Sequence, residues 1–207
     1  RIAAPGLVLL IGCAVVALSG LALWQFWTAL ILLGLGWNFG FIGATAMVGC
    51  GLSTDDATLG ISWHVMAMFA PSFFTGRLIH RFGAETIVAT GLALLVGCAL
   101  IALSGIALWQ FWSALILLGL GWNFGFIGAT AMVAETYRPS EKGKVQGIHD
   151  LVLFSSVAFA SLMSGAVYNS YGWDMLNWVV FPIVAVCAVA LGLLARRGRK
   201  ANRPSPA

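Results

Sequence analysis

Charge is what this sequence has least of. Lys, Arg, Asp and Glu together make up 9% of its 207 residues, against roughly 25% in an ordinary soluble domain. Two stretches, 6–48 and 91–133, contain none at all. A chain this poor in charge lacks the groups that solvate a globular surface, so lipid is the expected solvent. The cysteines Cys13, Cys50, Cys98 and Cys187 show neither CxxC nor metal-ligand spacing. In an apolar run a thiol behaves as a small hydrophobe, so no disulfide framework and no metal centre is expected. A Walker A loop, an HExxH helix and a Gly-rich dinucleotide turn are also missing, which leaves no cofactor and no enzyme chemistry to expect. Ala-Leu-Ser-Gly at 17–20 and 102–105 lacks the Gly-x-Ser-Gly form, and no His partner for an intramembrane serine is identifiable. The formal net charge of +4 is divided among short clusters between apolar runs, so no nucleic-acid surface is expected.

What the chain has instead is apolar length. Hydrophobic residues make up 60% of it, and the two charge-free stretches are nearly one sequence. Gly6 to Val48 and Gly91 to Val133 differ at six of 43 positions, with exchanges such as Val15 for Leu100 and Thr28 for Ser113. One span needs roughly 20 apolar residues, so each copy is predicted to cross a bilayer twice as a helical hairpin. Repeats that diverged long ago keep only weak internal symmetry. Identity this high points to a recent duplication or a spliced reading frame, and Arg1 in place of Met points to a fragment.

Hydropathy predicts about seven spans, near 6–23, 27–48, 57–76, 86–105, 110–133, 146–168 and 177–195. Helix is the default, because only helices and closed barrels satisfy the backbone in lipid, and the segments are too continuously apolar for barrel strands. The expected fold class is therefore all-α, a polytopic transmembrane helix bundle. It divides into a duplicated hairpin at 1–48, a helix bundle at 49–195 and a basic tail at 196–207. Ser19-Gly20 and Ser104-Gly105 mark the hairpin turns, and Trp24, Trp27, Trp109 and Trp112 are placed at headgroup level. Gly36-x-x-x-Gly40 and Gly121-x-x-x-Gly125 allow close helix approach.

Orientation follows from the basic residues. Arg77 and Arg81 separate the third and fourth spans, and Arg138, Lys142 and Lys144 the fifth and sixth. Arg196, Arg197, Arg199, Lys200 and Arg203 follow the seventh. The segments Gly49 to Asp56 and Asn169 to Met175 contain only acidic charge. The positive-inside rule puts the three basic regions, and with them the C-terminus, in the cytoplasm. The two hairpins then run in opposite directions, with the Ser19-Gly20 turn inside and the Ser104-Gly105 turn outside. Alternatively, the first copy does not insert fully or replaces a single span.

Two motifs carry a resemblance. Gly76-Arg-Leu-Ile-His-Arg-Phe-Gly83 resembles the loop signature of the major facilitator superfamily, a Gly, three residues, an acidic or Asn position, a basic residue, any residue and a Gly. Gly76, Arg81 and Gly83 match, Arg77 lies inside the motif, and His80 stands at the acidic position. That departure is similar to the degenerate copy between the eighth and ninth helices of these transporters. Glu135-Thr-Tyr-Arg-Pro-Ser-Glu-Lys-Gly-Lys-Val-Gln-Gly147 resembles the loop before their eleventh helix. The resemblance covers 49–195 as the end of helix seven through helix twelve. It implies one half of a bacterial-type inner-membrane secondary transporter for a small organic solute, with a proton as coupling ion. The partners implied are the bilayer, the solute and a missing N-terminal half. A non-transporting fragment left by duplication or misassembly and a small dual-topology channel are the alternatives.

Polar side chains within the spans are few, and these are the candidate pathway residues. His149 and Asp150 follow Lys144 by five and six residues, about 7–9 Å along a helix. Either group could carry a proton, with Asp150 expected to matter more, or both could simply reach water at the inner interface. Adjacent helical residues point about 100° apart, so the two are not automatically a pair. His64 lies deeper in its span and is read as a solute contact or a satisfied packing residue. Trp122 and Asn123, in Gly-Trp-Asn-Phe-Gly, could line an organic-solute pocket or join helices by hydrogen bonds. Asn38 is the repeat equivalent of Asn123.

Overall fold

The computed structural model describes residues 42–201, and among these it contains helices and no strand. Helix α1 covers 42–49, α2 Thr54–Phe69, α3 Ser72–Phe82, α4 Ala84–Leu103 and α5 Leu108–Ala134. A 3-10 turn at Pro139–Glu141 leads into α6, Lys142–Trp178, and α7 covers Val180–Ala201. The first hairpin up to residue 41, with Asn38 and the Ser19-Gly20 turn, lies outside the described residues, and its last residues, 42–48, belong to α1. Three runs, Ala84–Leu103, Leu108–Ala134 and Pro139–Trp178, are long and apolar enough to cross a membrane. The bent pair α2–α3 makes a fourth, and Val180–Arg196 is a shorter apolar helix. The all-α transmembrane bundle expected from hydropathy is the observed architecture.

Local chemistry explains where the helices begin and break. Ser53 caps α2 by accepting from the Asp56 N–H at 3.1 Å, and Asp55 and Asp56 occupy its positive first turn. The span expected without interruption at 57–76 is in fact two helices, bent by 43°. Pro71 is the cause: it has no N–H to donate, and its ring cannot follow the preceding turn. Ala70 still donates to Met66 O at 2.8 Å, and the next turn starts afresh with Phe74 and Thr75 donating to Pro71 O, each at 2.9 Å.

The segment Gly76 to Gly83, expected as a loop, is helical through Phe82. The whole turn falls on Gly83, whose φ of 85° suits a residue without a side chain. Likewise the segment 169–175 is helical apart from one break, at Gly172 with φ 79°.

Helices α4 and α5 form an antiparallel hairpin whose register is set by glycine. A Cβ on Gly91 would stand 2.8 Å from Gly125 N and 2.9 Å from Gly121 O, and one on Gly128 would stand 2.7 Å from Val88 Cγ2. The Gly121-x-x-x-Gly125 pair thus brings two backbones into contact, as small residues do in membrane interfaces. Helix α2 runs parallel to α5. Going down the pair, Trp112 Nε1 donates to Asp56 O at 3.1 Å, Gly119 faces His64 O, and Asn123 reaches Met68 O. At the far tip of the hairpin, Trp173 Nε1 donates to Ala102 O at 3.1 Å. Helix alternation therefore places Gly83, Glu135 and the start of α6 at one end of the bundle. The Ser104 turn and Trp173 occupy the other. Arg77, Arg81, Arg138, Lys142 and Lys144 are exposed and share the first end.

Candidate solute and proton pathway

The pathway candidates fall into two groups. His64, Trp122 and Asn123 lie along the seam between α2 and α5, while His149 and Asp150 lie on α6.

Asn123 is wholly buried and fully engaged. Its Nδ2 donates to Met68 O at 2.6 Å and to Ser72 Oγ at 2.8 Å, and its Oδ1 accepts from Thr75 Oγ1 at 2.8 Å. Thr75 Oγ1 also lies 2.8 Å from Pro71 O. These groups flank the Pro71 break, where Met68 O has lost its place in a continuous helical ladder. The amide of α5 supplies the donor that the interrupted helix cannot. The geometry at Asn123 is that of interhelical hydrogen bonding.

Trp122, next along α5, is half-buried and belongs to an aromatic group. Its ring stacks on Phe126 at 4.8 Å and 10°, and lies 6.3 Å from Phe69 of α2 at 59°. Phe69 is exposed. His64 is buried, with Nδ1 2.8 Å from Leu115 O. A carbonyl only accepts, so Nδ1 carries the hydrogen, and the buried Nε2 has no hydrogen-bond partner.

On α6 the neighbours His149 and Asp150 do meet. Asp150 Oδ1 lies 2.9 Å from His149 Nδ1, and Gln146 Nε2 donates to the same oxygen at 3.2 Å. The His149 side chain is 0% exposed, whereas that of Asp150 is 46% exposed. Of the pair, only Asp150 is accessible. His149 Nε2 is buried without a partner.

The motif residues Gly76, Arg77, His80 and Arg81 are on α3, with Arg77 and Arg81 exposed, and Arg81 sits 5.2 Å from the Phe82 ring centroid. Open space surrounds Gly76, so close packing does not account for it. Among the described residues no three His, Cys, Asp or Glu side chains group as metal ligands. Hydropathy passes over Pro71, Ser72 and Thr75, although a proline inside an apolar run is itself a break signal. It also passes over Gln110, which folds back on the hairpin turn. Gln110 Oε1 accepts from Ala107 N–H at 2.8 Å and Nε2 donates to Ser104 Oγ at 2.9 Å.

Known proteins are similar to this chain in sequence. The profile of the Major Facilitator Superfamily matches residues 49–207. The riboflavin transporter RfnT of Brucella anthropi is 59% identical over 146 residues, 70% of this chain and 37% of that protein. The uncharacterized MFS-type transporter YddS of Bacillus subtilis is 38% identical over 145 residues, 68% of this chain and 33% of its own length. The multidrug resistance protein MdtH of Proteus mirabilis is 32% identical over 121 residues, 56% of this chain and 29% of that protein. The chain thus spans about a third of the length of the curated relatives it matches. Broken and close-packed apolar helices, the basic turn motif and the profile match converge on one conclusion: this multi-pass membrane chain belongs to the Major Facilitator Superfamily, a family of transporters rather than enzymes.

Proposed function

We propose that the chain forms the C-terminal half of a secondary transporter in a bacterial-type inner membrane, moving a small organic solute with a proton as coupling ion. Riboflavin is the solute to test first. The observation that carries this is the 59% identity over 146 residues to a protein named as a riboflavin transporter. The α2–α5 seam suits such a solute. A flavin is a flat conjugated ring, and Trp122, Phe126 and Phe69 present aromatic surface at the level of the Pro71 break. Alternating access in this family rocks one helix bundle against another around a midplane site, so an N-terminal six-helix half is the partner required.

The test is uptake of radiolabelled riboflavin into cells lacking their own transporter. Uptake is expected when the chain is joined to an N-terminal half and absent with the chain alone. Flux by the chain alone would remove the partner requirement; no flux in either arm would remove riboflavin. Trp122→Ala in the joined protein should raise KM by about threefold to tenfold, the usual worth of an aromatic contact. Trp122→Phe should stay near wild type. An unchanged KM for Trp122→Ala would exclude the seam as the solute surface.

Orientation is a separate expectation. With the basic end in the cytoplasm, the C-terminus is cytoplasmic and the Ser104 turn faces outside. A single cysteine at Ser104, in a protein otherwise free of cysteine, should react with an impermeant maleimide in intact cells. One at Glu135 should react only after lysis. The reverse pattern would invert the topology.

A further inference from the structure

His149 Nε2 is a buried polar atom that neither packing nor capping explains. Its side chain has no exposed surface, and Nε2 meets no hydrogen-bond partner. Asp150 Oδ1, 2.9 Å from Nδ1, accepts as a carboxylate, so Nδ1 carries the hydrogen and Nε2 of the neutral ring is a bare lone pair. Gln146 Nε2, one turn back, lies 3.4 Å from Nδ1 and closer, at 3.2 Å, to the same carboxylate oxygen, to which it donates; the 2.9 Å contact to the carboxylate is the shortest of the three. Buried polar groups left unpaired are rare, and each calls for a reason.

His64 shows the same bare Nε2, which makes it the natural comparison. Its Nδ1 partner is the uncharged carbonyl of Leu115. A proton arriving at His64 would leave an unbalanced positive charge in an apolar seam. At His149 it would convert a pair of net charge −1 into a pair of net charge zero. Isolated charge at membrane depth is expensive, and paired charge is the form in which proteins keep it there.

The geometry points to His149 Nε2 as the atom that carries the coupled proton, with Asp150 as a positioning residue that fixes the ring tautomer and balances the imidazolium. This rests on the proton-coupled transport proposed above. A proton taken from water on one side bonds to the Nε2 lone pair; the same N–H bond breaks when the proton leaves to the other side. Nδ1–H stays on Asp150 throughout. The sequence by itself favours Asp150, but the buried member of the pair is His149.

Other charged or titratable groups are on the elements packed against α6. They are Glu85 and Cys98 of α4, Glu141 of the 3-10 turn, and Cys187 and the basic run from Arg196 of α7. Lys142 and Lys144 precede the pair on α6 itself. Among the described residues, Asp150 is the carboxylate within ion-pair distance of His149, at 2.9 Å.

Two measurements test this. In nitrogen-15 histidine-labelled protein in lipid nanodiscs, the His149 signals are assigned by their loss in His149→Gln. At alkaline pH they should show Nδ1–H with Nε2 bare, and acidification should add the Nε2–H. The opposite tautomer, or a ring that keeps a single proton until the protein unfolds, overturns the inference. This measurement needs no solute.

In the full-length transporter with riboflavin as solute, His149→Gln should cut proton-driven accumulation by about a hundredfold. Energy-independent exchange should be retained. Asp150→Asn still accepts from Nδ1–H but lacks the balancing charge, so accumulation should fall by about tenfold with exchange intact. Asp150→Glu should restore part of it. If wild type exchanges riboflavin and both variants accumulate it normally, the proton-carrier role is wrong while transport stands. If wild type does not exchange riboflavin at all, that solute is wrong, and the ring titration alone decides on His149.

Discussion

Gly91→Ala is expected to force α4 and α5 apart and to lower unfolding stability by about 3 kcal/mol, the upper end of what overpacking commonly costs. The reason is that the new methyl would meet backbone rather than side chain. It would stand 2.8 Å from Gly125 N and 2.9 Å from Gly121 O. A side chain can turn aside, but a helix backbone cannot move locally without losing its own hydrogen bonds. Separation of the helices would spread along the seam to Leu95 and Val88, which pack on Gly121 and Gly128.

Two controls separate this from a general cost of altering glycine. A Cβ at Gly97 would meet Leu117 Cδ1 at an ordinary 3.6 Å, and one at Gly76 would meet nothing within 4 Å. Alanine at either position should leave stability unchanged or slightly raised, because alanine favours helix over glycine. Unfolding in a mixed-micelle denaturant titration provides the readout. A Gly91→Ala midpoint equal to that of Gly97→Ala would show that the two backbones do not touch as described.

Asn123→Leu is expected to cost about 2 kcal/mol and to loosen the start of α3. Removing a buried partner leaves the other group unsatisfied, at roughly 1–3 kcal/mol each in water-soluble proteins. Measured hydrogen bonds within membranes average nearer ~0.6 kcal/mol, which holds the total down. Met68 O and Ser72 Oγ would lose the amide donor, while Thr75 would keep Pro71 O. Hydrogen exchange around residues 68–75 should rise with the variant.

The cost of Asn123→Leu should depend on the helix break. Pro71→Ala would return an N–H to the interrupted ladder and allow Ser72 N–H to approach Met68 O. In that background Asn123→Leu should cost no more than about half as much, and a double-mutant cycle isolates the difference. Equal penalties with and without Pro71 would mean that Asn123 does not serve the break.

How far the sequence reaches depends on what kind of information each feature needs. Lipid solubility, helical class, the apolar runs after residue 54 and the grouping of basic residues all follow from hydropathy and charge along a line, whereas the break within 57–76 and the shortness of the last apolar helix do not. A bilayer sorts residues by those same one-dimensional properties, so they are legible before any fold is known. The glycine contact is legible too, because Gly121 and Gly125 recur at helical spacing. The Pro71 break has a visible signal that hydropathy alone passes over.

What meets what is settled by the tertiary structure. Asn123 finds Met68 across 55 residues of chain, and His64 finds Leu115 across 51. No local spacing encodes either pair. His149 and Asp150 are adjacent, yet only packing decides that one is sealed and the other accessible. The repeat gives the sharpest comparison. Residues 42–48 and 127–133 are the same seven residues, Ile-Gly-Ala-Thr-Ala-Met-Val. Val133 is 0% exposed and Val48 is 45% exposed, while Gly128 packs on Val88 and Gly43 on Leu115 and Trp173. Identical sequence makes both segments helical, because the hydrogen bonds of a helix lie within the segment itself. Ala44 and Met47 are buried like their counterparts Ala129 and Met132, but Val48 and Val133 differ because burial is conferred by neighbours, and the two copies have different ones.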